Sequence, residues 1–216
     1  MTQPELTLYH FPGACSRVTV CALEMAGLDH KLELVDITKG AQNGDEYMAI
    51  SPLGKVPLLI ADGVPLAENI AILTYLAALR PDSGIFPRDA APRLLADTMS
   101  GLSFCAGTVH VQIRGLANPQ RLTTGEVEGV REKSKELAKK SFGYAERRLA
   151  ERGWWAGEPT IADVYVDWTF SVARRNGIDA DAHPMLAALP ERLTDALPAY
   201  ARLLAEEDRS RAALGL

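Results

Sequence analysis

Of the groups in this chain able to attack an electrophile or carry a proton, Cys15 stands at a distinctive place. It follows Leu6-Thr-Leu-Tyr9-His-Phe11-Pro12-Gly13-Ala14 and precedes Ser16-Arg-Val-Thr-Val-Cys21, so that a short apolar strand turns through Pro-Gly directly into an apolar helix. The first-turn N–H groups of a helix have no intrahelical acceptor and carry the positive end of its dipole, so a sulfur anion held there is stabilised. Thiols in that position ionise at about 3.5–7.5 instead of about 8.5. Ser16 adds a hydroxyl at the same place, either as a second hydrogen-bond donor or simply as a helix cap. A small buried cysteine is the alternative reading of Cys15.

Cys21 and Cys105 fall inside apolar helical runs and read as packing residues. Three cysteines in all, with neither C-x-x-C nor metal-ligand spacing, argue against a disulfide scaffold and a zinc site, and no metal is expected. Asp plus Glu (28) outnumber Lys plus Arg (23), for a net charge of −5, which supplies no electrostatic basis for nucleic-acid binding. The first residues have no signal-peptide pattern, and every apolar run is too short to span a bilayer. A cytoplasmic protein is expected.

The elements that must position Cys15 follow from periodicity. Strand 6–9, a helix over 16–26 closed by Gly27 and an alternating strand over 32–36 form a β-α-β unit with a right-handed parallel crossover. Strands 58–61 and 64–67 flank Asp62-Gly63, a hairpin signal, and a third helix begins near Ile70. This order is the thioredoxin-like arrangement. Pro81, Pro87 and Pro92 then mark a linker. Beyond it only helical spacing remains. The stripe Leu95, Met99, Leu102, Ala106, Val109, Ile113 predicts one long helix over 93–115, and Ala138, Phe142, Ala145, Leu149 a second. The alternating charges between Arg131 and Arg152 read as a solvated face. Thr160-Ile-Ala-Asp163 reads as a capping box for a third helix, buried along Val164, Trp168 and Val172, and the tail from Arg209 reads as frayable. The fold class is thus an α/β thioredoxin-like domain over 1–80, a linker over 81–92 and an all-α domain over 93–216.

Four motifs in this order, Pro12-Gly-Ala-Cys15-Ser16, Ala49-Ile-Ser-Pro-Leu-Gly-Lys55-Val56-Pro57, Leu66-Ala-Glu68-Asn69 and Thr160-Ile-Ala-Asp163, resemble the cytosolic glutathione S-transferases, most closely their bacterial beta-type branch. The resemblance covers nearly the whole chain and implies glutathione as co-substrate. It implies a cis bond before Pro57 that turns the Val56 main chain outward to pair with the tripeptide, as an added strand does. It places the γ-glutamyl group at the helix start carrying Glu68 and Asn69, where many members have Ser or Thr in place of Asn. Lys39 and Lys55 match positions on the glycyl or cysteinyl side. Ser103, Gly107, His110 and Arg114 form a polar stripe on the 93–115 helix; Ser103 and His110 match an Asn and a His near the thiol, and Val111 stands where relatives often have Lys.

What the resemblance implies chemically is a glutathione thiolate, activated by Cys15, Ser16 or His110, attacking a small hydrophobic electrophile. The pocket for that electrophile would draw on Phe11, His110, Arg114 and Trp168, with Tyr9 as packing or pocket wall. A homodimer is implied as well. Cys15 could also form a mixed disulfide with glutathione, giving thiol-disulfide exchange or ether and thioether cleavage. Val18 stands where a resolving cysteine would be needed for an internal disulfide. A non-catalytic ligand- or partner-binding module of the same fold is the alternative from a different class.

Overall fold

The computed structural model describes residues 3–87 and 92–216, in two compact units. Residues 3–87 belong with 198–216 in one unit, and 92–197 form the other. Of the linker expected at 81–92, residues 88–91 lie outside the described residues; 81–87 contain neither helix nor strand.

In the first unit β1 (Leu6–His10) and β2 (Lys31–Leu34) pair in parallel, with α1 (Arg17–Ala26) as the crossover that a parallel pair requires. A six-residue helix, α2 (Asp45–Ile50), is too short to announce itself by periodicity. β3 (Leu58–Ala61) runs antiparallel to β1, and β4 (Val64–Ala67) antiparallel to β3, so the sheet order is β2-β1-β3-β4. Asp62 and Gly63 both take positive φ (48° and 80°), the backbone that a two-residue hairpin needs. α3 (Asn69–Leu79) follows and packs on α1. Strand alternation sends Leu6, Leu8 and His10 to one face of the sheet. Tyr9 points to the other, where it packs with Val35, Tyr47 and Leu58.

The second unit is helical: α4 (Pro92–Ser103), α5 (His110–Ala117), α6 (Glu128–Arg152), α7 (Ile161–Arg175), α8 (Pro184–Ala187) and α9 (Leu189–Ala196). The long helix expected over 93–115 is interrupted by a π turn, Phe104–Val109, which inserts an extra residue per turn and shifts the face presented beyond it. The apolar stripe holds from Leu102 through Val109 to Ile113, all buried, but Leu95 is 41% exposed. Asp97, Thr98 and Gly101 are buried instead. The inward face of α4 is polar because it is fully paired. The Asp97 carboxylate meets Arg93 at 3.1 Å and both Arg148 and Arg152 at 2.9 Å, and its carbonyl accepts the Trp155 indole N–H at 3.1 Å. Burial acts to raise the Asp97 pKa, yet the three guanidinium hydrogen bonds outweigh it and bring it down to about 2. At α7 the capping box forms: the carboxylate of Asp163 accepts the N–H of Thr160 (2.9 Å) and of Trp155 (2.7 Å).

The chain then returns to the first unit as α10 (Pro198–Leu214), which packs on α1. Far from fraying, the tail is helical through Leu214, with Ser210 buried. Arg17 of α1 lies over the Tyr200 ring (5.7 Å) and pairs with Glu207 (3.3 Å), while Arg202 pairs with Glu24 (2.6 Å). Covered in this way, α1 is buried from Arg17 through Leu23, and it is apolar nearly all round as such a helix must be.

His10 sits in this core, 2% exposed, with Nε2 lacking a hydrogen-bond partner among the described residues. Burial pulls its pKa from 6.5 down to about 4, with Glu206 opposing and His30 reinforcing. A base whose folded pKa is depressed is neutral in both states above the unfolded value, so it contributes nothing there. Below that value the unfolded chain takes up a proton that the fold refuses until about pH 4. Urea unfolding should therefore show a loss of up to about 3 kcal/mol between pH 6.5 and pH 4. His10→Phe should flatten that acid limb.

Candidate functional site

Cys15 lies at the end of a turn that the structure ties down at several points. Beyond β1 the chain closes a turn through Ala14 N–H to Phe11 C=O (3.1 Å), with Gly13 at φ 80°. The positive φ favours glycine there, and a Cβ would stand 2.8 Å from the end of the Arg211 side chain, which would have to shift. Gly13 N–H donates to Glu207 of α10 at 2.9 Å, the carboxylate that also holds Arg17. Ser16 is fully buried. Its hydroxyl accepts the Phe11 N–H and donates to the Phe11 C=O, both at 3.2 Å, so its one proton is already committed to closing the turn. Of the two roles open to Ser16, donor or cap, its hydroxyl here closes the turn on Phe11.

Cys15 itself is partly exposed, and its thiol donates to the Val56 carbonyl at 3.4 Å. The Val56–Pro57 peptide bond is cis. The loop that carries it is held from below: the hydroxyls of Tyr47 (2.7 Å) and Ser51 (3.3 Å) both donate to Lys55 C=O, and Gly54 N–H donates to Ser51 C=O (2.8 Å). Lys55 is left with its side chain exposed. By contrast, burial pushes the Cys21 thiol up to about 12 and the Cys105 thiol higher still, so Cys15 is the accessible nucleophile among the three.

Glu68 and Asn69 open α3, as expected, but their side chains diverge. Glu68 is exposed, its side chain has no hydrogen-bond or ion-pair partner among the described residues, and it takes φ 71°, ψ 123°, an unfavourable backbone for a residue with a Cβ. Asn69 is buried: its Nδ2 donates to Cys15 C=O at 3.2 Å, and its Oδ1 accepts the Thr19 hydroxyl at 2.7 Å. The structure thus brings together Cys15, Val56, Pro57 and Asn69. Lys39 is elsewhere engaged, 76% exposed and paired with Asp36 at 3.1 Å. A cavity of about 480 Å³ between β2 and α2, lined by Tyr9, Val35, Tyr47 and Ile50, includes Tyr9 but none of the residues nominated for substrate binding.

In the helical unit, His110 is partly buried and meets Trp168 edge to face at 4.8 Å. The π turn takes Ser103 out of phase with it; Ser103 is exposed, whereas Arg114, one turn on, is partly buried like His110. Val111 is 56% exposed. Sequence reasoning missed Thr19 and Glu207. A threonine in a helix otherwise apolar was a signal that a buried partner awaited it, whereas nothing local marks Glu207. Among the described residues no group of His, Cys, Asp and Glu could hold a metal ion, and no helix is long and apolar enough to cross a membrane.

A β-α-β-α-β-β-α unit with a thiol facing a cis-proline loop, followed by a helical unit, defines a glutathione transferase fold. Comparison with known proteins agrees: residues 4–78 match the family described as "Glutathione S-transferase, N-terminal domain". The chain is 30% identical over 194 residues to glutathione S-transferase GstA of Escherichia coli O157:H7, covering 88% of this chain and 93% of that one. Its structure resembles a bacterial beta-class glutathione S-transferase from Sphingomonas chungbukensis (TM-score 0.80, 30% identity, 93% of this chain and 98% of the other). It also resembles a sphingomonad glutathione S-transferase complexed with glutathione (TM-score 0.79, 31% identity, 94% and 98%). The chain belongs to the cytosolic glutathione S-transferase family.

Because Glu207 holds both Gly13 and Arg17, Glu207→Ala should lower stability by about 2–3 kcal/mol. Denaturant unfolding measures that loss, and faster alkylation or proteolysis near Cys15 would report the accompanying loosening of the turn.

Proposed function

We propose that the protein binds glutathione along the Val56–Pro57 edge of its amino-terminal unit and activates the glutathione thiol for attack on a hydrophobic electrophile. The observation that carries this reading is the meeting of the accessible Cys15 thiol and the Val56 carbonyl, 3.4 Å apart, beside a cis proline. Val56 would pair with the tripeptide main chain, while the exposed Glu68 carboxylate takes the γ-glutamyl ammonium and the first-turn N–H groups of α3 take its carboxylate. Asn69 contributes its main-chain N–H. Lys55 lies on an exposed stem that could reach the glycyl or cysteinyl side, and Lys39 could do so on leaving Asp36.

The thiol must be presented as thiolate. Lowering its pKa from about 9 to about 6.5 requires about 3.4 kcal/mol of differential stabilisation, within reach of helix-start N–H groups and one or two hydrogen bonds. Cys15 is the donor we assign to the sulfur, with His110 as a second donor or base; Ser103, Arg114 and Phe11 keep the substrate-side roles the resemblance implies. The thiolate then forms a carbon–sulfur bond to the electrophile, and the leaving group departs with its electron pair. A cytoplasmic homodimer is the working form that the family membership supports.

The accessibility of Cys15 favours a second reaction at the same place. Its thiolate can attack oxidised glutathione, forming a mixed disulfide and releasing one glutathione thiolate. Purified protein assayed with glutathione and 1-chloro-2,4-dinitrobenzene, and separately for disulfide exchange, tests both readings. Cys15→Ala should abolish exchange but reduce conjugation less, by about tenfold, because the helix start persists. Inactivity in both assays, with no retention on immobilised glutathione, would leave a binding module.

A further inference from the structure

We infer that Asn69, supported by Thr19, is a positioning residue that sets the reactivity of Cys15. The inference rests on the reading of Cys15 as the residue that meets the glutathione sulfur. The amide has one orientation that works. A main-chain carbonyl can only accept, so Nδ2 must face Cys15 C=O (3.2 Å) and Oδ1 must face Thr19 (2.7 Å). The Thr19 hydroxyl is then obliged to donate. Both side chains are buried, Thr19 completely and Asn69 to 5% exposure, so water does not substitute for either bond.

What the pair controls is the Cys15–Ser16 peptide. Its carbonyl accepts from Asn69 Nδ2 and from Val18 N–H (3.2 Å), which fixes the plane of that peptide from one side. In a trans peptide the N–H points opposite the carbonyl, so holding the carbonyl inward aims the Ser16 N–H outward past the helix start, the direction from which a sulfur anion is stabilised. Successive hydrogen bonds from Thr19 through the amide to the carbonyl polarise one another and strengthen that N–H as a donor. The same plane fixes the side-chain exit vector of Cys15, hence its approach to Val56. Asn69 touches neither reacting atom and acts through Cys15.

The test is the rate of Cys15 alkylation by iodoacetamide as a function of pH, located at Cys15 by mass spectrometry, in wild type, Asn69→Ala, Thr19→Val and Thr19→Ser. Asn69→Ala and Thr19→Val should move the midpoint up by about one pH unit, giving about tenfold less thiolate at neutral pH. Thr19→Ser, which retains the hydroxyl, should keep the wild-type profile. A profile unchanged in Asn69→Ala and Thr19→Val, whatever their melting temperatures, overturns the inference; so does a Thr19→Ser profile that follows Thr19→Val. If Asn69→Ala does not fold, the Thr19 pair decides alone, since it changes one hydroxyl in a shape that is kept. Glutathione affinity of the wild type, measured by calorimetry, separates the two proposals: no binding with a shifted alkylation profile defeats the glutathione reading and leaves the positioning role standing.

Discussion

A nucleophilic thiol at a helix start depends on a peptide chain that cannot swing away, and in this protein that constraint is met by hydrogen bonds on a six-residue turn. Ser16 closes the turn on Phe11 with two bonds, Glu207 takes the Gly13 N–H, and Asn69 takes the Cys15 carbonyl. Each partner comes from a different part of the chain. Remove the turn and β1 and α1 are still a strand and a helix, but nothing relates the sulfur to the Val56 edge.

Glu207 explains why the chain comes back. After the helical unit the final helix rejoins the first unit and covers α1, leaving that helix buried on nearly every side. Arg17, 8% exposed, is tolerable in that setting because Glu207 and the Tyr200 ring receive it. A buried charge without such partners would cost several kcal/mol. The same carboxylate therefore both neutralises a core arginine and holds the turn that carries Cys15.

The helical unit solves its own burial problem with charge as well. Asp97 collects three arginines, and Asp163 accepts main-chain N–H groups at the start of α7; burial raises the Asp163 pKa to about 6 against those hydrogen bonds. α4 can then turn Thr98 and Gly101 inward and approach closely, since a Cβ on Gly101 would lie 2.7 Å from the Trp155 ring. Such polar interior contacts tolerate little rearrangement, because each group lost leaves another unpaired in low dielectric.

Much of this was legible in the residues themselves. Period-two alternation marks β2, the apolar runs on either side of Asp62-Gly63 mark the hairpin, and Thr160 to Asp163 marks the cap, because local backbone chemistry acts over four to eight residues and leaves its trace there. That Cys15 and Val56 would each meet glutathione followed from family motifs, not from any local rule. Asn69 as a partner of Cys15 and Thr19 and the docking of Glu207 on Gly13 were decided by tertiary packing, whereas the Ser16 clasp on Phe11 and the π turn ahead of His110 are local features that leave no periodic trace. The physical reason is common to the two long-range pairings. A polar side chain's role depends on which donors and acceptors burial brings within about 3 Å, and neighbours 50 or 194 residues away in sequence leave no local pattern to read.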